Sequence, residues 1–262
     1  MITFACFVPH SPVLIPEVGK ENLDKLKETV QAYQQLENEI YVAKPDVLVV
    51  ISPHANSRSG EFFTISQQPK LKINFKEFGD LVTKLEFDNE IGLAYQVKES
   101  CEYNCPIMLI AEENLDYGSA VPLFYLSQHL PDVKIVSIGS ADLPPEEHIK
   151  FGEFIRKQIN LSDKRVAVIA SGDLSHKLHK DSPAGYSERA QEFDQTVIKL
   201  LNEKKTDELI HLDPKLIADV GQCGLKSLLI LLGVIKELNY QPEKLSYQAP
   251  FGIGYLVENF KI

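Results

Sequence analysis

The sequence predicts an α/β protein: a single domain with a central, mostly parallel or mixed sheet flanked by helices on both faces. Three observations carry this reading. Short unbroken apolar runs of strand length recur along the 262 residues, longer segments with helical spacing separate them, and no linker interrupts the series. Unbroken apolar runs fit strands covered on both faces. Strand signals alternating with helix signals build a sheet sandwiched by helices.

The elements follow in order. The opening run at 2–8 has no basic region before it and no small-residue cleavage site after it. It therefore reads as a strand and not as an export signal. A helical segment spans 20–41, and a second strand 46–51. The stretch 62–87 breaks the pattern: Thr64, Ile65, Val82, Leu85 and Phe87 suggest short strands of an antiparallel insertion. Thereafter come a helix at 89–99, a strand at 106–110, a helix at 120–129 and a strand at 133–138. A helix at 145–159, a strand at 165–170 and helices at 187–202 and 224–238 follow. Two last strands fall at 245–248 and 254–258. With no internal repeat, low-complexity tract or Pro/Gly/Ser linker, residues 1–262 read as one domain.

Apolar residues make up 44% of the chain and charged ones 24%, ordinary for a globular protein with a sizeable core. The formal net charge of -10 leaves no electrostatic footprint for nucleic acid or an anionic membrane. The basic knot at 177–180 is too short to change that. The longest apolar stretch, 228–235, falls far below the roughly 20 residues of a membrane span. Among four cysteines, Cys101 and Cys105 lie near each other in sequence, at a spacing that suits neither a redox pair nor a zinc knuckle. The expectation is a cytoplasmic protein with free thiols and a small-molecule ligand.

Three of the seven histidines lie at or just past predicted strand ends. His10 ends the first strand in Val8-Pro9-His10-Ser11-Pro12. His54 ends the second in Ile51-Ser52-Pro53-His54-Ala55. His176 follows another, in Ser171-Gly172-Asp173-Leu174-Ser175-His176. In an open parallel sheet the carboxyl ends of the strands face one crevice, where ligands bind. Three imidazoles from distant segments can therefore converge there, and prolines beside His10 and His54 fix the local backbone. Two imidazoles plus a third donor with open positions describe a non-haem iron(II) site. Asp173, three residues before His176, can orient that ring, or else serve as a cap or turn former. Taken singly, a strand-end histidine more often caps a surface loop; the set of three points to a shared task. His129, His148, His179 and His211 sit on polar or helical stretches and read as surface residues.

The ordered motifs Pro9-His10-Ser11-Pro12, Ser52-Pro53-His54, Asp116-Tyr117-Gly118-Ser119-Ala120-Val121-Pro122-Leu123 and Ser171-Gly172-Asp173-Leu174-Ser175-His176 together resemble the class III extradiol ring-cleavage dioxygenases, the LigB-like superfamily. Gly221-Gln222-Cys223-Gly224-Leu225 and Ala249-Pro250-Phe251-Gly252-Ile253-Gly254-Tyr255-Leu256 extend the resemblance. These two look closest to the dioxygenase-like domain of AmmeMemoRadiSam system proteins, with Memo proteins as more distant relatives. The resemblance implies a metal held by His10 and His54, with His176 as acid and base. It implies Fe(2+) first, with Zn(2+) or Cu as alternatives, a small catecholic or phenolic ligand, and a homodimer.

Two departures bear on that chemistry. Where ring-cleaving relatives place a carboxylate ligand, this chain has Gly221-Gln222-Cys223-Gly224, so Cys223 is the candidate third donor. A cysteine just before a helix has its thiolate favoured by the helix N-terminus, which makes it a metal ligand or a reactive group. Cysteine is also among the most buried residue types, and filling space is the plainer account. Glu112 and Glu113 are outlying candidates for the missing carboxylate. Tyr117 stands where the relatives commonly carry histidine, and it does not titrate near neutral pH.

The leading expectation is a metal-dependent oxidoreductase, with His176, Asp173 and Cys223 as catalytic candidates. The rival keeps the metal but not the turnover: a Memo-like redox-metal or ligand-binding protein. A hydrolase reading of Asp173, Ser175 and His176 fails because three residues so close on one loop do not line up as a triad, and the nucleophile-elbow motif is absent. A non-catalytic domain with relic histidines is the last alternative. Gly252-Ile253-Gly254 is no nucleotide loop; it predicts a tight turn or a close passage of the chain.

Overall fold

The computed structural model describes residues 1–55 and 60–262. Among the described residues, the strands are β1 (Ile2–Val8), β2 (Val47–Ser52), β3 (Phe63–Ser66), β4 (Lys70–Phe75), β5 (Asp80–Asp88), β6 (Ile107–Ile110), β7 (Lys134–Gly139), β8 (Val166–Ser171), β9 (Gln241–Gln248) and β10 (Tyr255–Lys261). The α-helices are α1 (Pro16–Gly19), α2 (Lys27–Ala43), α3 (Ile91–Cys101), α4 (Tyr117–Leu126), α5 (Pro145–Leu161), α6 (Ala190–Asn202), α7 (Thr206–Ile210), α8 (Pro214–Val220) and α9 (Leu225–Ile235).

Eight of these strands form one mixed sheet in the order β6-β3-β7-β2-β8-β1-β10-β9. Its centre, β7-β2-β8-β1, is parallel throughout, and antiparallel pairs flank it at β7–β3 and β1–β10–β9. The fold class therefore agrees with the sequence reading. Each central strand feeds both faces in alternation, as a strand of period two must. Ala5 and Phe7, Val47, Val49 and Ile51, and Val166, Val168 and Ala170 pack on one side with α3, α5, α6 and α9. Phe4, Cys6 and Val8, Leu48 and Val50, and Ala167 and Ile169 pack on the other with α2 and α4.

Four local readings are corrected. Thr64 and Ile65 do not belong to an insertion: β3 joins the main sheet, parallel to β6 and antiparallel to β7. Only β4 and β5, which carries Val82, Leu85 and Phe87, form the separate antiparallel pair. The helix expected over 20–41 is a 3-10 segment at Lys20–Leu26 followed by α2. The short helices α7 and α8 were not anticipated. His148 is buried, not on the surface; its ring nitrogens lie 3.1 Å from the carbonyls of Pro144 and Ala141. None of the described helices is long and apolar enough to cross a membrane.

Two glycines set the distance between α5 and α9. A Cβ on Gly152 would lie 2.1 Å from the Ile230 carbonyl oxygen, and one on Gly233 would lie 2.2 Å from that of Ile149. The backbones touch, so a methyl at either position must push the helices apart. Gly233→Ala is expected to destabilise the protein by on the order of 2 kcal/mol, the cost of overpacking a close contact, read from urea unfolding.

Glu258 on β10 lies on the α9 side of the sheet between Leu256 and Phe260, fully buried, and neither carboxylate oxygen has a hydrogen-bond partner among the described residues. Burial pushes its pKa up to about 8, against the opposing pull of Lys244. A carboxyl raised in this way keeps its proton in the folded state while the unfolded chain releases it. Stability then falls as pH rises from the ordinary carboxyl range towards 8. Glu258→Gln is expected to flatten that fall and to raise stability at pH 8 by on the order of 2 kcal/mol. Unfolding curves at pH 5 and pH 8 check this; an unchanged slope would exclude Glu258 as its source.

Candidate metal centre

Strands β2, β8 and β1 lie side by side and parallel, with Val8 paired to Ser171 and Ile51 to Ala170. Their carboxyl ends therefore open on one lip of the sheet. The segments that follow carry His10, His54, and Asp173 with His176. His54 Nε2 lies 3.2 Å from His10 Nε2. Cys223 Sγ lies 3.4 Å from His10 Nε2 and 3.7 Å from His176 Nε2. The structure thus brings together the five residues singled out in the sequence.

The ring of His10 is oriented by a chain of hydrogen bonds that begins with a proline. Pro122 lies inside α4 and has no amide hydrogen to give the carbonyl of Gly118, four residues back. The hydroxyl of Ser171 donates to that carbonyl instead, at 2.5 Å. Ser171 Oγ, its one proton committed, accepts from His10 Nδ1 at 2.8 Å. Nδ1 then carries the imidazole proton, and Nε2 presents its lone pair to the centre. Sequence reasoning passed over Ser171; its signal is a hydroxyl closing an otherwise apolar strand.

His54 is held differently. Its ring stacks on Tyr117, with centroids 4.7 Å apart, and Tyr117 meets Phe78 edge to face at 5.6 Å. Its backbone amide donates to Ser52 Oγ, which donates to Asp116 Oδ1 at 2.6 Å. Asp116 also caps α4 by accepting from the Ser119 amide. Tyr117 is therefore packed against a donor. Burial raises its hydroxyl further above the ordinary phenol range.

Cys223 reaches the cluster because two glycines let its loop touch the end of β8. A Cβ on Gly172 would sit 2.1 Å from Gly224 Cα. The amides of Cys223 and Gly224 donate to the Asp173 carbonyl, and the Asp173 amide points at Cys223 Sγ at 3.3 Å. The expected lowering of this thiol by a helix N-terminus is not found. Burial, reinforced by the charge of Asp173, pushes it above its ordinary value.

Asp173 does not orient His176 through a direct hydrogen bond, since its nearest oxygen is 4.0 Å from His176 Nε2. Its Oδ1 accepts from the His10 amide at 3.1 Å, and its Oδ2 lies 3.9 Å from His10 Nε2. Burial pushes its pKa up to about 7, opposed by that amide. Glu112 and Glu113 are exposed, and Glu113 pairs with Lys72 at 2.6 Å; neither belongs to the cluster. Ser175 donates to the Val220 carbonyl and takes no part in a triad. Gly254 passes so close to Asp194 that a Cβ would lie 2.1 Å from its Oδ2, the close passage expected of the glycine pair. A surface hollow of about 600 Å3 lies instead around Asp46, Lys134 and Lys164, near the starts of β2, β7 and β8 and away from these donors.

The electrostatics suit a cation. Burial, reinforced by the other imidazoles for His10 and His176, lowers the pKa of all three rings, although Asp116 pulls His54 the other way. Neutral imidazoles are ligands, while protonated ones are not. The ligand atoms of His10, His54 and Cys223 all lie within 4.8 Å of one another, and those of Asp173, His176 and Cys223 do too. Nitrogen and sulfur donors so crowded, with a carboxylate at their edge, are a set that could hold a transition-metal ion.

The chain is 27% identical over 259 residues to Protein CA_C1420 of Clostridium acetobutylicum, covering 95% of this chain and 55% of that one. It is 34% identical over 169 residues to a 3,4-dihydroxyphenylacetate 2,3-dioxygenase of Escherichia coli, covering 61% of this chain and 56% of the enzyme. A 2-aminophenol 1,6-dioxygenase beta subunit of a Pseudomonas species is 25% identical over 240 residues, covering 80% and 77%. The match thus spans about half the length of the first two relatives. In fold, the chain resembles the crystal structure of an uncharacterized Escherichia coli K12 protein, JW3007, with a TM-score of 0.68 at 18% identity over 99% of this chain and 100% of that one. Residues 4–258 match the family described as the catalytic LigB subunit of aromatic ring-opening dioxygenase, and the chain belongs to that family.

Proposed function

We propose that this protein is a metal-dependent oxidoreductase that acts on a small catecholic or phenolic molecule through one non-haem metal ion, held by His10, His54 and Cys223. The observation that carries the reading is the convergence of these three donors from distant segments, two of them only 3.2 Å apart. Fe(2+) is the ion that suits dioxygenase chemistry, supplying sites where a diol and oxygen meet. Four free thiols fit a reducing, cytoplasmic setting.

The chain's own residues do the rest. Ser171 fixes the tautomer of His10, and Tyr117 fixes the plane of His54. His176 is a quarter exposed, and its lowered pKa leaves it an unprotonated base at neutral pH, placed to take a hydroxyl proton from an incoming diol. Asp173 holds the His10 backbone. Tyr117 and Phe78 give the crevice an aromatic wall on which a planar ring can lie.

A second reading, a Memo-like metal-binding protein without ring cleavage, is favoured by one feature. Cys223 brings a thiol, which oxygen chemistry can oxidise, to the place where ring-cleaving relatives carry a carboxylate.

Metal analysis of anaerobically purified protein, paired with oxygen uptake against catechols and 2-aminophenol, separates the two. We expect Fe(2+)-dependent uptake with at least one of them, and its loss in His54→Ala together with at least a tenfold fall in metal affinity. Bound metal with no uptake for any member of the panel would select the second reading. Ser171→Ala frees the His10 ring to flip and is expected to weaken metal binding by roughly tenfold, and, because it strands the buried Gly118 carbonyl, to lower the melting temperature by a few degrees, on the order of 3 °C. Chelator competition reads the first effect and circular dichroism the second.

A further inference from the structure

Cys223 belongs to two donor sets, and only one of them enters the mononuclear reading. The second consists of Asp173, His176 and Cys223, whose ligand atoms also lie within 4.8 Å of one another. We propose that this triad is a second metal position, so that the crevice can hold two divalent ions of the zinc type sharing the Cys223 thiolate. The proposal rests on the reading of Cys223 as a metal donor.

The distances support it. Metal–nitrogen bonds of about 2.0–2.1 Å and metal–sulfur bonds of about 2.3 Å put two donors on a tetrahedral or trigonal ion roughly 3.3–3.8 Å apart. In the first set the separations are 3.2 Å for His54 to His10 and 3.4 Å for His10 to Cys223. In the second they are 3.7 Å for His176 to Cys223 and 4.0 Å for His176 to Asp173. All four fall within a few tenths of an ångström of the range. Sulfur carries enough lone pairs to face both ions, and Cys223 Sγ lies 3.4 Å from His10 Nε2 and 3.7 Å from His176 Nε2.

The donor types differ between the positions. The first offers two imidazoles and the thiolate, the second one imidazole, one carboxylate and the same thiolate. Both are mixtures that zinc accepts. Two anionic side chains, Cys223 and Asp173, offset part of the charge of two dications. The arrangement has a functional corollary: an ion in the second position occupies His176 Nε2, the atom the ring-opening reading needs as a base. Filling it therefore opposes turnover, and the one-ion and two-ion forms would have different roles.

The test is a titration of the whole, metal-free, reduced protein with Zn(2+) against a chromophoric chelator, repeated with Co(2+) to follow thiolate-to-cobalt absorption. Wild type is expected to bind two equivalents, with the absorption still changing up to the second. His176→Ala is expected to bind one, its affinity for a second falling at least tenfold and its absorption complete at one equivalent. The reciprocal His54→Ala is expected to keep one equivalent, in the Asp173–His176 position. A single equivalent in wild type, lost in His54→Ala and unaffected in His176→Ala, would overturn the second position and leave the first standing. Two equivalents in all three proteins would also overturn it, by placing the extra ion elsewhere. No tight binding in wild type would remove both readings together. Should a variant fail to fold, the wild-type stoichiometry and cobalt end point decide alone.

Discussion

The site depends on the direction in which one lone pair points. His10 Nε2 faces the centre because Nδ1 is engaged by Ser171, whose proton is in turn committed to the Gly118 carbonyl. That carbonyl is free because Pro122 cannot close the helical hydrogen bond. A helix irregularity in α4 is thus converted into a defined imidazole tautomer one strand away. Without it the ring could present either nitrogen, and the spacing to His54 and Cys223 would lose its meaning.

The sheet supplies the larger frame. Because β8 lies between β1 and β2, with matching register on both sides, three chain segments arrive at one lip with little freedom in depth. The remaining donor comes from a loop that must press against β8, and the facing glycines at 172 and 224 make room for that approach. Burial then does two things at once. It keeps the imidazoles neutral, and it leaves the thiol and the Asp173 carboxyl reluctant to ionise unless a cation compensates them.

Much of this was legible in the residues, and what was not has identifiable physical causes. The strand-end positions of His10 and His54 could be read because apolar runs are local signals, and the sheet-edge rule does the rest. The membership of β3 could not be read: four residues at 63–66 owe their place to pairing with 107–110, a contact that no local pattern encodes. His148 looked solvated because Glu146, Glu147 and Lys150 surround it in sequence, yet its ring lies in the interior between the carbonyls of Pro144 and Ala141, to one of which its N–H donates. Helix α8 did leave a trace, in Asp213 as a cap and Pro214 in the first turn, ahead of an unremarkable run. Ser171 and Ser52 were invisible as site residues because a hydroxyl at a strand end has many ordinary uses, and only the tertiary partner reveals this one.

Phe78, which meets Tyr117 at the crevice wall, belongs to neither the eight-stranded sheet nor an α-helix packed on it. It sits in the turn joining β4 to β5, a hairpin that hydrogen-bonds its two strands to each other and stands apart from the eight-stranded sheet. The rim therefore comes from a different strand pair than the donors, although Leu71, Ile73 and Phe75 of that pair are buried in the core beside α2 and α4. Changes confined to the exposed tip of this hairpin, outside its buried strands, give selection a way to reshape the rim around Tyr117 without altering the strands that carry the donors.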